Sequence, residues 1–369
     1  MEQYRPEETD AAEGRAGVHR WQLLTRTADY WDAVAEECRR ARRRIEIEHY
    51  IFSDDPVGRY LGDLLAGRAR EGVRVRILLD AFGSRKLLDS RACETLRAAG
   101  AEVVAYNPFW RWPLYGLKRQ IRRDHRKIVV ADDTALVGSA CFQAEMADWR
   151  DLTVRLQGPV VADIAGEFEA IWARPSGRGT PPRRESAHDA DFAFLGNAAG
   201  RGRAMYRRLL REISRARSEV ILCSPYLLPD RGFIRAIESA RARGAAVLAV
   251  APQKTDAPFV DAVGWTYYGR LLRLGCRLFL YRPVVLHAKA AAVDGVWATV
   301  GSMNLDRLSF HFNREGNIVS RDRSFAAAVT AELHAMKRSS EEVDLDMWRN
   351  RPWQKKLAGA IGRPLSPVL

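Results

Sequence analysis

DHRKIVVADDTALVGSA (124–140) and LHAKAAAVDGVWATVGSM (286–303) set out one pattern twice. Each opens with His, one residue, then Lys: His125 and Lys127, His287 and Lys289. An apolar run follows, with an Asp five residues after the Lys (Asp132, Asp294) and then Gly-Ser at Gly138-Ser139 and Gly301-Ser302. In the second copy Asn304 completes Gly-Ser-x-Asn; in the first, Cys141 stands in that place. Side chains on a strand repeat with period two, so each His shares a face with its Lys.

The duplication extends outward. RARRRIEIEHYIF (40–52) resembles RARSEVILCSPYLL (215–228), a basic helix end running into an apolar strand that finishes near a Tyr. REGVRVRILLDAFGS (70–84) matches RGAAVLAVAPQKTD (243–256), and AAGAEVVAYNP (98–108) matches RLGCRLFLYRP (273–283). Apolar strands alternate with helical stretches such as VGRYLGDLLAGRARE and FIRAIESARARG, which predicts two α/β units. The first copy carries about thirteen extra residues between Pro108 and His125. ARPSGRGTPPRRESAHDA (173–190) reads as a linker. The expected division is a disordered head (1–16), a first lobe (17–172), a linker (173–196), a second lobe (197–346) and a basic, aromatic tail (347–369).

The 369 residues are 47% apolar and 28% charged, enough for a sizeable core, which excludes wholesale disorder. Lys and Arg number 59 against 46 Asp and Glu, a net charge of +13. That surplus points to an anionic partner: phospholipid headgroups, nucleic acid or a phosphorylated metabolite. Cys38, Cys93, Cys141, Cys223 and Cys276 are widely spaced without Cys-x-x-Cys, so neither a disulfide framework nor a zinc knuckle is expected, and a reducing compartment fits. The acidic start lacks the apolar core of a secretory signal, and no apolar run is long enough to span a bilayer.

A pair of His-x-Lys motifs suits a phosphate diester. One imidazole attacks phosphorus and the other protonates the leaving oxygen, while Lys, hydroxyl and amide donors stabilise the equatorial oxygens. Lys is not an ordinary metal ligand and no second His or Cys stands nearby, so neither a metal nor a cofactor is expected.

The duplicated His-x-Lys-x4-Asp…Gly-Ser-x-Asn pattern resembles the phospholipase D superfamily over roughly residues 17–369. Within it the chain is most similar to bacterial cardiolipin synthases of the short form. IEIEHYIFSDDPVGRYL, GVRVRILLDAFGS, WRDLTVRLQGP, HAKAAAVDGVWATVGSMNLDRLSF and NREGNI carry that finer match. The resemblance implies two α/β/α lobes with pseudo-twofold symmetry and one active site at their interface. The implied catalytic set is His125, Lys127, Asp132, His287, Lys289 and Asp294, of which the two Asp residues shape a loop more than they touch substrate. Ser139, Ser302 and Asn304 would bind the phosphate. Asp151 and Glu315, at similar offsets after His125 and His287, would hold the histidine rings. The implied reaction makes cardiolipin from two phosphatidylglycerol molecules through a phosphatidyl-histidine, on the cytoplasmic face of the bacterial inner membrane. The competing readings are a hydrolase with water as acceptor, a nuclease and a non-enzymatic lipid-binding protein. Nothing resembles a groove-reading motif, so no nucleic acid is expected.

Three further features carry two readings each. His49 is either a satisfied core histidine or near the site. FWRWPLYGLKRQIRR (109–123) is a membrane-docking rim or a packing loop, and DAVGWTYYGRLL (261–272) its counterpart or an ordinary helix face. The Trp-rich tail is a membrane anchor or a helix packed on the core.

Overall fold

The computed structural model describes residues 12–108, 122–173, 192–198, 202–255, 258–351 and 353. The first lobe contains β1 (Glu13–Ala16), β2 (His19–Arg26), β3 (Arg44–His49), β4 (Arg74–Asp80), β5 (Glu102–Tyr106), β6 (Lys127–Ala131), β7 (Thr134–Gly138) and β8 (Arg150–Gln157). They form one sheet in the order β1-β2-β8-β7-β6-β3-β4-β5. The second lobe contains β9 (Phe192–Ala198), β10 (Gly202–Arg203), β11 (Glu219–Cys223), β12 (Ala246–Pro252), β13 (Arg277–Tyr281), β14 (Ala290–Val293), β15 (Trp297–Gly301), β16 (Glu315–Ser320) and β17 (Ser340–Val343). Their order, β10-β9-β16-β15-β14-β11-β12-β13-β17, repeats the first with β17 added at one edge. In both sheets three strands run parallel (β3-β4-β5, β11-β12-β13) and the motif hairpin joins them antiparallel.

Period-two alternation sorts each motif strand between two cores. Ile128 and Val130 face a core shared by both sheets, packed with the helices Val160–Trp172 and Arg323–Arg338; Val129 and Ala131 face the first lobe's outer helices. Ala290 and Ala292 face the shared core, while Ala291 and Val293 face the second lobe's outer helices. Each sheet is therefore covered on both faces, as its continuous apolar strands require.

Three stretches depart from expectation. Glu13–Ala16 lies inside the stretch expected to be a disordered head, yet it pairs with His19–Gln22 as a hairpin. β9 begins at Phe192, inside the expected linker, because Phe192 and Phe194 fill the shared core. The tail starts as a packed helix turn, Leu345–Arg349: Trp348 sits against Gly269, and its ring N–H donates to the Trp265 carbonyl at 3.0 Å. The residues 109–121 and 354–369, with Trp110 and Trp112 among them, lie outside the described residues.

Candidate active site

Both histidines sit just before a motif strand, and both are placed by the other lobe's backbone. The His125 N–H donates to the Arg314 carbonyl at 2.9 Å, and the Arg314 N–H to the Arg123 carbonyl at 2.9 Å. By symmetry the His287 N–H donates to the Arg150 carbonyl at 2.8 Å, and the Arg150 N–H to the Val285 carbonyl at 2.9 Å. Arg314 and Arg150 immediately precede Glu315 and Asp151. The backbone bridges therefore bring each acid to the opposite lobe's histidine. His125 Nδ1 lies 3.0 Å from Glu315 Oε2, and His287 Nδ1 lies 2.9 Å from Asp151 Oδ2. Counting offsets within a copy suggests the pairs His125–Asp151 and His287–Glu315; the fold crosses them.

A carboxylate on Nδ1 holds a proton there and orients each ring, so Nε2 is the atom through which a ring would exchange protons or bonds. Burial drives the His125 pKa down to about 4, with Lys127 and Lys289 adding to the effect against the pull of Glu315. Burial alone would raise Glu315 and Asp151, but the facing imidazoles, the nearby lysines and serine hydrogen bonds hold both below the ordinary carboxylate range.

Ser139 and Ser302 are buried, and their hydroxyls serve these acids: Ser302 Oγ donates to Glu315 Oε2 at 2.6 Å, and Ser139 Oγ to Asp151. A hydroxyl has one proton to give. Both serines are thus committed to positioning the carboxylates, which corrects the expectation that they bind substrate directly. Lys127 and Lys289 are almost fully buried and each donates to the carbonyl of its own motif histidine, at 2.7 and 2.6 Å.

Asp132 and Asp294 are not in the site. They lie beyond the far ends of β6 and β14, about 20 Å along the chain from the histidines at roughly 3.3 Å per strand residue. Asp132 accepts the backbone N–H groups of Arg42, Arg43 and Arg44; Asp294 accepts those of Arg217, Ser218 and Glu219. Both sit at positive φ, 47° and 54°, in the hairpin turn, a conformation Asp tolerates better than most residues. Their grouping with the catalytic residues is corrected: they tie the loop before β3 and β11 to the motif hairpin.

His125 and His287 face one cleft of about 310 Å³, walled by both lobes. Asn304 lines it, as the resemblance implies, with Cys141 at the equivalent first-lobe position. Among the lining residues that went unread in the sequence are Tyr50, Arg123, Asp306 and Asn313. Tyr50 meets the His125 ring edge-on at 4.9 Å. Arg123 stands two residues before His125, a proximity that could have marked it. His49 is a core histidine: Nε2 pairs with the Tyr30 hydroxyl at 3.1 Å, Nδ1 with the Ile51 carbonyl at 2.9 Å, and the ring stacks on Phe142.

Comparison with known proteins agrees with this architecture. The family described as "Cardiolipin synthase, PLD-like domain" matches residues 34–172 and 209–337, one stretch in each lobe. Cardiolipin synthase B of Salmonella typhimurium is 34% identical over 351 residues, 90% of this chain and 84% of that protein. Cardiolipin synthase of Geobacillus kaustophilus is 29% identical, covering 96% and 74%. The crystal structure of phosphatidylserine synthase from Haemophilus influenzae superposes with a TM-score of 0.72 over 95% of each chain at 15% identity, a likeness of fold. A duplicated sheet, a crossed pair of acid-held histidines and a family match spanning both lobes lead to one conclusion: the chain belongs to the cardiolipin synthase family of the phospholipase D superfamily, a phosphatidyltransferase acting on phospholipid.

Proposed function

We propose that this chain joins two phosphatidylglycerol molecules into cardiolipin and releases glycerol. The observation that carries the reading is the pair of imidazoles facing one cleft, each with Nδ1 held by a carboxylate. His125, neutral down to about pH 4, suits the nucleophile. Its Nε2 lone pair forms the N–P bond as the P–O bond to glycerol breaks, and His287, entering as the imidazolium with a proton on Nε2 as well as on Nδ1, gives the leaving oxygen its Nε2 proton. A hydroxyl of a second phosphatidylglycerol then attacks phosphorus, returns a proton to His287 and releases His125. Lys127, Lys289 and the Asn304 amide stabilise the phosphoryl oxygens. One diester replaces another, so the exchange is nearly balanced.

The substrate lies in a bilayer, and among the described residues no helix is long and apolar enough to cross one. We place the chain on the anionic cytoplasmic surface of the inner membrane. Phe82 is 59% exposed, followed by exposed Arg85 and Lys86, in a loop packed on the Tyr50 backbone at the cleft wall. An apolar ring among cations suits an anionic headgroup layer.

The test is mass spectrometry of lipids formed when purified protein meets phosphatidylglycerol vesicles. Cardiolipin with an equal amount of glycerol is expected; phosphatidic acid as the sole lipid product would make the chain a hydrolase instead. His287→Ala should accumulate a phosphatidyl adduct on His125 when the donor carries a good leaving group.

A further inference from the structure

The symmetry of the histidines does not extend to the cleft walls. The bridges Phe52–Phe142 and Leu227–Leu305 mark Phe142 and Leu305 as equivalent positions. Counting from them, Asn304 corresponds to Cys141 and Asp306 to Gln143. Cys141 is a buried thiol that burial makes harder to ionise, and the Gln143 amide turns to Glu145 at 3.2 Å. Asn304 and Asp306 both line the cleft at 4% exposure. Asp306 Oδ1 accepts the Ser309 N–H at 2.7 Å. Asn304 Oδ1 is buried with no hydrogen-bond partner among the described residues.

A bound phosphodiester is an ionised acceptor with no proton to offer. A side-chain carbonyl oxygen cannot serve it, and a carboxyl can do so only while it is protonated; both accept readily from O–H donors. Opposite them the first lobe contributes the apolar Ile51 and Met146 beside Cys141. The first lobe's charged lining group is Arg123, a donor, and the second lobe adds the apolar Leu228 and Leu308; the carbonyl–carboxyl pair of Asn304 and Asp306 stands on one wall only.

We propose that Asp306, together with the Asn304 carbonyl, forms the subsite for the hydroxyl-bearing alcohol of the reaction. This rests on the phosphatidyl-transfer reading. In a double displacement through one histidine, leaving and entering oxygens occupy the same in-line position opposite that histidine. One subsite therefore holds both the glycerol that departs and the glycerol hydroxyls of the acceptor. Burial and the Glu315 charge push the Asp306 pKa up to about 7, so the group exchanges hydrogen bonds with a hydroxyl without setting a full negative charge against the phosphate.

The experiment compares wild type with Asp306→Asn, because Asn caps a helix as well as Asp and keeps the Ser309 contact. Thermal melting confirms folding. In the donor arm, phosphatidylglycerol is set against phosphatidylpropanol, the same lipid without headgroup hydroxyls. Wild type should prefer phosphatidylglycerol by about 10- to 100-fold in kcat/KM, the range of a hydrogen bond to an ionisable group. Asp306→Asn should shrink that preference below about threefold, the loss falling on phosphatidylglycerol. In the acceptor arm, glycerol competes with 1-propanol for the phosphatidyl group, and the variant should lower the glycerol-to-propanol product ratio. A response in the donor arm locates the leaving glycerol at Asp306, and one in the acceptor arm the entering one. Equal losses on hydroxylated and hydroxyl-free partners in both arms would overturn the proposal and leave Asp306 as a helix cap. Wild type yielding only phosphatidic acid would instead overturn the transfer reading, while the donor arm would still test Asp306.

Discussion

The two lobes agree where the chemistry is symmetric and differ where the substrate is not. Each supplies a His, a Lys, a Ser-held acid and an Asp-tied hairpin. They part at the residue between His and Lys. Arg126 is large, charged and buried; Ala288 is small and fully buried. Both face the lobe interface, but only Arg126 crosses it: Nε donates to the Glu315 carbonyl at 3.0 Å, Nη2 to Glu167 at 3.1 Å, and the guanidinium lies 5.3 Å from the Phe194 ring. A Cβ on Gly196 would collide with the arginine, and one on Gly316 with Phe194 beside it. The crossing bridges occur twice, whereas this plug occurs once. The difference suggests that symmetry carries the bond exchange and asymmetry carries docking and recognition.

The strongest way to break the symmetric half of this comparison is to find one histidine dispensable. His125→Ala and His287→Ala should each lower kcat/KM by about 10,000-fold or more with unchanged circular dichroism, since each holds a separate step. Glu315→Gln and Asp151→Asn should cost about 100- to 10,000-fold, as loss of a ring-orienting carboxylate does elsewhere. Imidazole ¹⁵N spectra sharpen the point: Glu315→Gln should move the His125 resonances and Asp151→Asn those of His287. The opposite assignment would refute the crossed pairing.

The asymmetric half is tested through stability. Arg126→Ala leaves Glu48 and Glu167 facing the interface without their shared cation. Unfolding in urea should show a loss of about 3–5 kcal/mol, the range for a broken buried pair. Ala288→Val, which overpacks the matching position, should cost about 1–3 kcal/mol. Equal losses would mean that Arg126 acts only as filler.

The repeat was legible because both copies preserve strand pattern, turn and motif: IVVA and AAAV each divide between two cores by parity alone. Lys127, Lys289 and Asn304 could be chosen from that pattern. The crossing could not, because an offset measured along one copy carries no information about which lobe an acid faces; the bridges at Arg150 and Arg314 decide that. The serine roles were hidden for a similar reason. A hydroxyl beside a phosphate site reads as a phosphate donor until a buried carboxylate is seen to take its proton. For the start of the Trp-rich tail the anchor and the packed helix stood as alternatives, because Trp348 could not be matched to Trp265 and Gly269, some eighty positions earlier in the chain.

A pH dependence separates His125 from the rest of the fold. Its native pKa of about 4 lies below the ordinary 6.5. Between those values the unfolded chain holds the proton and the native one does not, so stability falls as pH drops from about 6.5 towards 4. His125→Gln should flatten that slope in urea titrations across this window. An unchanged slope would assign the acid sensitivity to other groups.

The smallest expected effect lies farthest from the site, at Asp132 and Asp294. Both carboxylates are held below the usual 3.8: partial burial opposes this, and three backbone N–H groups on each outweigh it. A depressed carboxylate stabilises the fold above the unfolded pKa, and that contribution is lost as pH falls through the lower native value. Replacing either by Asn keeps an acceptor and a residue tolerant of positive φ, so only the charge is removed; a loss of about 1 kcal/mol is expected. Replacement by Ala removes the acceptor as well and strains the turn, and should cost about 1 kcal/mol more. The two lobes should respond alike, since the same three amides are bound in each. Turnover should stay near wild type for all four variants, because neither carboxylate reaches the cleft. A hundredfold fall in kcat at Asp132 or Asp294, with the fold intact, would mean that the hairpin turn communicates with the histidines through β6 or β14 and is more than a loop tie.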